Sequence, residues 1–509
     1  MNNIKKKELL KLALSEHRSG NLDSADKIYL DILKEDENDF DANHLHGTIL
    51  SQNKKYAESI TFFSRAYESS QATCELLNNY AIALRNVRAY SECERMLQEA
   101  LILDSKFPNT YLNLSNCYLS QSRYDDAVKV LTKSIKQGMN ILRCQTEIVA
   151  IHFTSLNEEY SDITLSKLKK SLDSLSKSDD ASSISKSALI YHNIGDLDRA
   201  LELFKKSEKL CSDSIPSIHT LKNMGNKSVI ETFLRHEYHQ INHIDSDEDG
   251  IRNMKITQDY YDNLKRVSSK MSSDYNDEDY KYISQFHKIK YNKPPKVQKN
   301  YINTDIDYAR IEKSYCESNP EIVVVDNFLS ESFLQELRVF FRCANIFKYP
   351  YSRGYIGAFL GKGMANRAFL EFSNHLKKSF KKIFLNYYLS QAWAFKYDSK
   401  KEGIGIHADD AKVNVNFWIT QDNANLNKAN GGMIVWKKKP DLKASFQEFN
   451  SIESIQKMTD EVKNSDYVKI PYKSNRAVIF NSKLYHATDK IQFNDNYKDR
   501  RVNITFLYK

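Results

Sequence analysis

The sequence predicts a multidomain α + β chain: an all-α repeat solenoid over 1–215, a helical and charged connector over 216–300, and over 301–509 a double-stranded β-helix (jelly roll) with flanking helices. Three observations predict it. A 34-residue period of small and large residues runs through the first part without a slip, the last part switches to a period of two, and glycine follows the same division. Six glycines lie between 1 and 250, none between 251 and 353, and eight between 354 and 432, so turns concentrate in the last third.

A length of 509 residues implies several domains. Fourteen glycines and eight prolines exclude collagen-like and Pro/Gly-rich disordered chains, and 41% hydrophobic with 28% charged residues supports ordinary packed cores. The formal charge of +8 comes from 74 basic and 66 acidic residues, mixed along the chain without a concentrated basic stripe, so nucleic acid is not an expected partner. Seven cysteines with no CxxC pair argue against a disulfide framework and against a Cys-built zinc site. The N-terminal stretch carries Lys5, Lys6 and Lys7, is broken by Lys11 and has no small-residue cleavage site, so it is not read as a signal peptide. No apolar run reaches the length of a spanning helix, and the expectation is a cytoplasmic protein without membrane contact.

The repeat keeps one register. Ala25, Ser59, Cys93 and Ala127 are each 34 residues apart; Ala13, Gly47, Ala81 and Ser115 are all small; Tyr29, Phe63, Leu97 and Leu131 are all large; Ile32, Ala66, Ala100 and Ser134 follow. Small residues let the two helices of a hairpin approach, and large ones fill the groove between neighbouring hairpins. The phase returns at Ala188, Tyr191, Ala200, Phe204 and Ser207, and GNLDSA (20–25) is nearly repeated as GDLDRA (195–200). Between them lies an irregular helical pair, 142–180, which makes five or six hairpins in all. On these positions the sequence resembles the tetratricopeptide repeat family over about residues 6 to 141 and again at the returning phase. That resemblance implies a concave surface holding a peptide or protein ligand.

In the connector, helices are expected near 229–242 and 256–288, and YNKPPKVQK (291–299) reads as a linker. Two metal-like patterns are discounted. Asp245 to Gly250 opens like an EF-hand loop, but the twelfth position is Ile256 where a bidentate Glu is required. His236, His239 and His243 share a helix face, and His243-Ile-Asp245 spells H-x-D, yet no strand surrounds them; they read as a solvated helix end.

From 321 onward the strands are expected at EIVVVDNFLS (321–330, running into a helix at 331–343), 390–398, 413–420, 431–437, 475–482 and 501–508. A second H-x-D, His407-Ala408-Asp409, precedes the strand VNVNFWIT, and His486 follows the strand AVIFNS. Two histidines and a carboxylate form a face that holds Fe(II) and leaves adjacent positions open for a co-substrate and O2. The last strand offers Arg500 and Arg501. Val502, Ile504 and Phe506 share parity with Arg500, whereas Asn503 and Thr505 share parity with Arg501, so Arg501 points inward to meet a dicarboxylate, with Asn503 or Thr505 beside it, and Arg500 is structural or at the rim. Asn414, Asn416 and Trp418 share one strand face and are expected to meet co-substrate, substrate or one another.

At these residues the sequence resembles the Fe(II)/2-oxoglutarate dioxygenases, in their prolyl-hydroxylase-like branch, across about 320–509. The resemblance implies His407, Asp409 and His486 as iron ligands and catalytic centre, and Arg501, in the context Arg501-Val-Asn-Ile-Thr505, as the 2-oxoglutarate arginine. It also implies co-substrate contact at Tyr397, ten residues before His407. Asn416, Trp418, Asn503 and Thr505 complete the expected co-substrate set. The implied reaction is oxidative decarboxylation of 2-oxoglutarate coupled to hydroxylation of a substrate, with O2 and, as an optional reductant, ascorbate. The longer blocks HADDAKVNVNFWIT, GGMIVW and RRVNITF resemble a bacterial group that fuses tetratricopeptide repeats to such a barrel. Two departures stand out: fifteen residues separate His486 from Arg501, more than is usual in prolyl hydroxylases, and an insertion over 437–470 is either a lid or a surface excursion. The expected function is hydroxylation of a peptide or protein recruited by the repeats; the competing readings are an oxygenase for a small molecule and a scaffold whose jelly roll binds a ligand without turnover.

Overall fold

All sixteen periodic positions from Ala13 to Ser134 are buried in the computed structural model. It describes the whole chain except residues 1–2, 20, 70–71, 108, 159–161, 215, 223–226, 246–256, 385, 400–402 and 441–457. The chain divides into two compact units, Met1–Ser178 and Asp179–Lys509. In the first, antiparallel hairpins stack in sequence: α1 (Asn3–Arg18) with α2 (Leu22–Glu35), α3 (Phe40–Gln52) with α4 (Tyr56–Ser69), α5 (Cys74–Asn86) with α6 (Tyr90–Leu103), α7 (Thr110–Leu119) with α8 (Tyr124–Lys136), and α9 (Ile141–Glu158) with α10 (Asp162–Ser176). The small positions are small for a steric reason. A Cβ on Gly47 would come within 2.9 Å of the Phe63 ring.

The turn inside each hairpin needs a left-handed residue, because that conformation closes the end of the first helix. Lys54, Arg88 and Ser122, again 34 apart, supply it with φ of 62°, 66° and 58°, where Gly195 supplies it at 92°. Side chains are strained there and glycine is not. Arg88→Gly is therefore expected to stabilise the repeat by about 0.5–1 kcal/mol, seen by calorimetry of the full chain as a rise of about 1–3 °C in the unfolding of the first unit; a fall would mean that the arginine's own contacts outweigh the strain.

The expected solenoid boundary at 215 falls inside the second unit. Its first hairpin, α11 (Ala181–Asn193) with α12 (Leu197–Asp213), keeps the repeat phase, with Ala188, Tyr191, Ala200, Phe204 and Ser207 buried. Its polar side chains, however, bond to segments more than 150 residues further along the chain: Asn193 exchanges two hydrogen bonds with the Leu389 backbone, 2.9 and 3.0 Å, and Ser207 donates to the Gly361 carbonyl at 2.8 Å. The 216–300 segment likewise belongs to this unit rather than linking two others. It contributes α13 (Ile218–Lys222), α14 (Ser228–Asp245), α15 (Gln258–Ser268) and α16 (Asp277–Phe286), the last two replacing one expected helix. In α14 the buried Glu237 pairs with Lys348 at 2.9 Å, and Gln240 donates to the Arg342 and Ala344 carbonyls. The stretch read as a linker is pinned at Asn292, which donates to the Gly363 carbonyl at 2.7 Å.

The helices α17 (Tyr308–Glu317), α18 (Glu331–Cys343), α19 (Arg367–Ser379) and α20 (Lys381–Phe384) accompany ten strands: β1 (Ile322–Val325), β2 (Tyr349–Tyr351), β3 (Tyr355–Phe359), β4 (Leu389–Tyr397), β5 (Val413–Trp418), β6 (Met433–Trp436), β7 (Tyr467–Ile470), β8 (Ala477–Asn481), β9 (His486–Thr488) and β10 (Val502–Tyr508). They form two antiparallel sheets, one in the order β1-β8-β5-β10-β4-β3-β2 and one in the order β7-β6-β9. Phe395, Trp418 and Phe480 of the large sheet share a core with Met433, Val435 and Ile470 of the small one. On the opposite face Phe506 packs on Phe369 and Phe372 of α19, with centroids 6.0 and 5.3 Å away. The parity expected for β10 is thus realised, apolar side toward the helices. Among the described residues, no helix is long and apolar enough to cross a membrane, and none of the seven cysteines is in a disulfide.

Candidate metal centre

His407 and His486, far apart in sequence, face each other as an antiparallel bridge: the His407 amide donates to the His486 carbonyl at 3.0 Å and the His486 amide to the His407 carbonyl at 2.8 Å. The Asp409 amide donates to the Ser482 carbonyl at 3.1 Å, which sets its carboxylate beside the two rings. The ligand atoms of His407, Asp409 and His486 all lie within 4.8 Å of one another. His486 Nε2 is 3.4 Å from Asp409 Oδ2, and His407 Nε2 is 4.0 Å from Asp409 Oδ1.

Each imidazole is oriented by its other nitrogen. His407 Nδ1 lies 2.9 Å from the Gly405 carbonyl and His486 Nδ1 2.9 Å from the Leu484 carbonyl. A carbonyl only accepts, so Nδ1 of each ring carries a proton and Nε2 is the atom turned toward Asp409. Burial, and then the neighbouring His486, lowers His407 to about 4 and keeps it neutral, the form that ligates metal. Burial works to raise the Asp409 carboxyl, but His486, His407 and Asn414 together hold it below its ordinary value. Asn414 Nδ2 donates to Asp409 Oδ2 at 3.0 Å and aims the carboxylate. Two imidazoles, His407 held neutral, and an ionised carboxylate on one side of a cavity fit a divalent metal of the Fe(II) kind.

That cavity has a volume of about 40 Å3 and is lined by the three residues together with Tyr397, Asn416, Arg501, Asn503 and Thr505. Arg501 is 2% exposed. Its Nε donates to the Gly431 carbonyl at 2.6 Å, its Nη2 to the Gly432 carbonyl at 3.2 Å and its Nη1 to Asn503 Oδ1 at 3.3 Å, and its guanidinium lies 4.6 Å from the Tyr397 ring centre. Among the described residues no carboxylate pairs with it, although a buried cation without a counter-charge is costly. Asn416 and Asn503 both donate to Thr505 Oγ1, at 3.0 and 3.4 Å, while the buried Oδ1 atoms of Asn414 and Asn416 accept no hydrogen bond. The inner face of β5 and β10 is therefore a ladder with open acceptors. Trp418 stands behind the cavity wall, 5.6 Å from the Arg501 guanidinium and stacked on Tyr472. It supports Arg501 instead of touching the cavity.

Several lining residues escaped sequence reasoning. Thr488 Oγ1, 3.5 Å from the Tyr397 hydroxyl, and Met433 belong to the inner cavity. A second, wider cavity of about 490 Å3 shares His407 and Asp409 with it and is walled by Tyr351, Arg353, Tyr355, Phe359 and Trp393. Its signal was the spacing of aromatics at 349, 351, 355 and 359, which marks β2 and β3. Of the discounted patterns, the calcium-like loop lies outside the described residues beyond Asp245. The histidine face of α14 is not the solvated helix end expected: His236 is 1% exposed, between Phe347 and Tyr497, because α14 packs onto the large sheet's helical side. The insertion over 437–470 is described only at its ends, where residues 458–462 form a helical turn and Met458 joins the wider cavity.

No curated protein matches the chain. Similar solved structures include MamA, 16% identical over 40% of this chain and 91% of that one with a TM-score of 0.26; pilF of Pseudomonas aeruginosa, 18% identical over 40% and 91% with a TM-score of 0.32; and PilW, a type IV pilus biogenesis factor, 19% identical over 41% and 94% with a TM-score of 0.32. Two segments match models of the tetratricopeptide repeat, residues 110–141, which are the α7–α8 hairpin, and residues 181–214, which are α11–α12. The chain therefore carries tetratricopeptide repeats, in the first unit and again at the start of the second.

Proposed function

We propose that the second unit is an Fe(II)- and 2-oxoglutarate-dependent dioxygenase on a double-stranded β-helix, acting on a peptide or protein held by the repeats. The observation that carries this reading is the convergence of His407, Asp409 and His486 beside a buried arginine that has no carboxylate of its own. Bound there, Fe(II) supplies the reduction of O2 that decarboxylation of 2-oxoglutarate drives. The chain's part is positional. Arg501 takes the distal carboxylate of the co-substrate, its fork held by the Gly431 and Gly432 carbonyls and its face by Tyr397. Asn414 keeps Asp409 turned to the metal, and the open amide oxygens on β5 accept from whatever polar group enters. Phe395, Trp393 and Met433 exclude water from the same cavity. The aromatic outer cavity admits the substrate side chain.

Tetratricopeptide repeats support the peptide or protein half of the reading. Successive inner helices carry an amide row suited to a peptide backbone: Asn79 meets His44 and Thr48 at 3.1 and 3.3 Å, and Asn113 donates to Asn78 at 2.8 Å. The test is succinate formation from 2-oxoglutarate by the purified chain with Fe(II), ascorbate and O2 and no added substrate. Slow, iron-dependent turnover is expected. Absence of both turnover and Fe(II)-dependent 2-oxoglutarate binding makes the chain a tetratricopeptide scaffold instead.

A further inference from the structure

Arg500 and Arg501 are adjacent just before β10, and their side chains reach opposite faces of the large sheet. Arg501 reaches the candidate metal cavity, whereas Arg500 reaches a separate cavity of about 100 Å3 on the helical side. There it meets Arg338 and Arg342, one turn apart on α18, and Lys396, the β4 neighbour of Tyr397. Lys396 is 3% exposed and Arg500 7%. These four, with Lys498 as a fifth cation on the wall, surround one space.

Their present partners are weak ones for such charges. Lys396 Nζ donates to the Phe341 carbonyl at 2.7 Å and the Tyr497 hydroxyl at 2.6 Å. Arg500 Nη2 is 2.6 Å from His239 Nδ1, and Arg338 donates to the Ile419 carbonyl and to Ser474 Oγ, both at 2.7 Å. The buried Nε atoms of Arg342 and Arg500 have no hydrogen-bond partner. Among the described residues none of the four forms an ion pair. The one carboxylate on the wall, Asp499, is turned to Asn494 and Asn496 at 3.4 Å, and Asp495 toward Arg500 and Glu331 and Asp422 toward Arg338 act only at longer range. Burial, and then Arg500, holds Lys396 well below the usual lysine range, and burial lowers Arg500 to about 10. A dianion in this space would relieve both the repulsion and the unpaired donors.

We propose that this cavity binds a phosphate group, as free phosphate or as the terminal phosphoryl of a small molecule. A tetrahedral dianion accepts from several directions at once, which donors arriving from α18, β4 and the entry to β10 require; a planar carboxylate accepts largely within its own plane. The site is independent of the reading given to the metal centre, from which the sheet separates it.

The experiment is calorimetric titration of the full chain at fixed ionic strength, with inorganic phosphate in one arm and glycerol 3-phosphate in the other, repeated on Arg342→Gln, Arg500→Gln and Arg501→Gln. One saturable site is expected, weakened about tenfold or more by Arg342→Gln and by Arg500→Gln and unchanged by Arg501→Gln. Saturation by phosphate alone identifies the free ion, and saturation by both identifies a phosphoryl group. Arg342 is only partly buried, so its variant decides the matter if Arg500→Gln fails to fold. No saturable heat into the millimolar range overturns the proposal, as does binding that Arg501→Gln removes and Arg342→Gln leaves intact.

Discussion

Replacing His407 with alanine is expected to lower Fe(II)-dependent succinate formation by more than about 100-fold, because loss of a group that merely orients a ligand costs 10–100-fold and His407 is proposed as a ligand itself. The variant keeps what the backbone contributes. The bridge to His486 runs through main-chain atoms, and the side chain is 20% exposed at a cavity wall, so the sheets have no reason to open. Iron content after anaerobic loading should drop from stoichiometric to near zero while the helical circular dichroism, dominated by the repeats, stays unchanged. Undiminished turnover or iron content in the variant would remove the triad as the metal site. Asn414→Ala gives a graded comparison. It leaves all three ligands and removes the 3.0 Å bond that aims Asp409, so a loss within the 10–100-fold range separates orientation from ligation.

What was legible in the sequence was whatever repeats or alternates locally. The sixteen positions that the 34-residue register picks out from Ala13 to Ser134 are all buried, since each hairpin packs chiefly on its sequence neighbours. Parity on β10 separated Arg500 from Arg501 correctly, because a strand's faces alternate whatever surrounds it. What failed depended on distant partners. Nothing local in α11–α12 announces that Asn193 and Ser207 bond to Leu389 and Gly361. The His236 face looked solvated because its cover, Phe347 and Tyr497, lies more than a hundred residues away. Strands β2, β7 and β9 lie at sheet edges; β2 contains Pro350, and β9 is three residues beginning at His486. The ligand triad was legible even so, since a strand, a turn and two histidines flanking β-rich stretches leave a pattern that no single strand assignment controls. Trp418 shares the inner face of β5 but stands in the layer behind the lining residues, because parity does not tell a wall from the layer behind it.

The Arg501→Gln variant is expected to lose about 2–5 kcal/mol of 2-oxoglutarate affinity, the usual cost of truncating one side of a buried, hydrogen-bonded charge pair. Such a loss should raise KM for 2-oxoglutarate far more than it lowers kcat, since Arg501 holds the end of the co-substrate away from the metal. Direct binding measured anaerobically, with a redox-inert divalent ion in place of iron, reports the affinity without any turnover. Arg501→Lys discriminates charge from shape: it keeps a cation in the cavity but not the planar fork that the Gly431 and Gly432 carbonyls hold, so only partial recovery is expected. The longer separation from His486 to Arg501 makes this the decisive substitution for the co-substrate. If affinity is unchanged in Arg501→Gln, the buried guanidinium is a strut between β10 and the Gly431–Gly432 turn, and the dicarboxylate assignment falls while the metal triad stands. Arg500→Gln is the matched control, one residue away and on the other face of the sheet, and it should leave 2-oxoglutarate binding alone. Opposite responses of two adjacent arginines to two anions cannot arise from a general loss of positive charge, and they would fix which face of β10 receives which ligand.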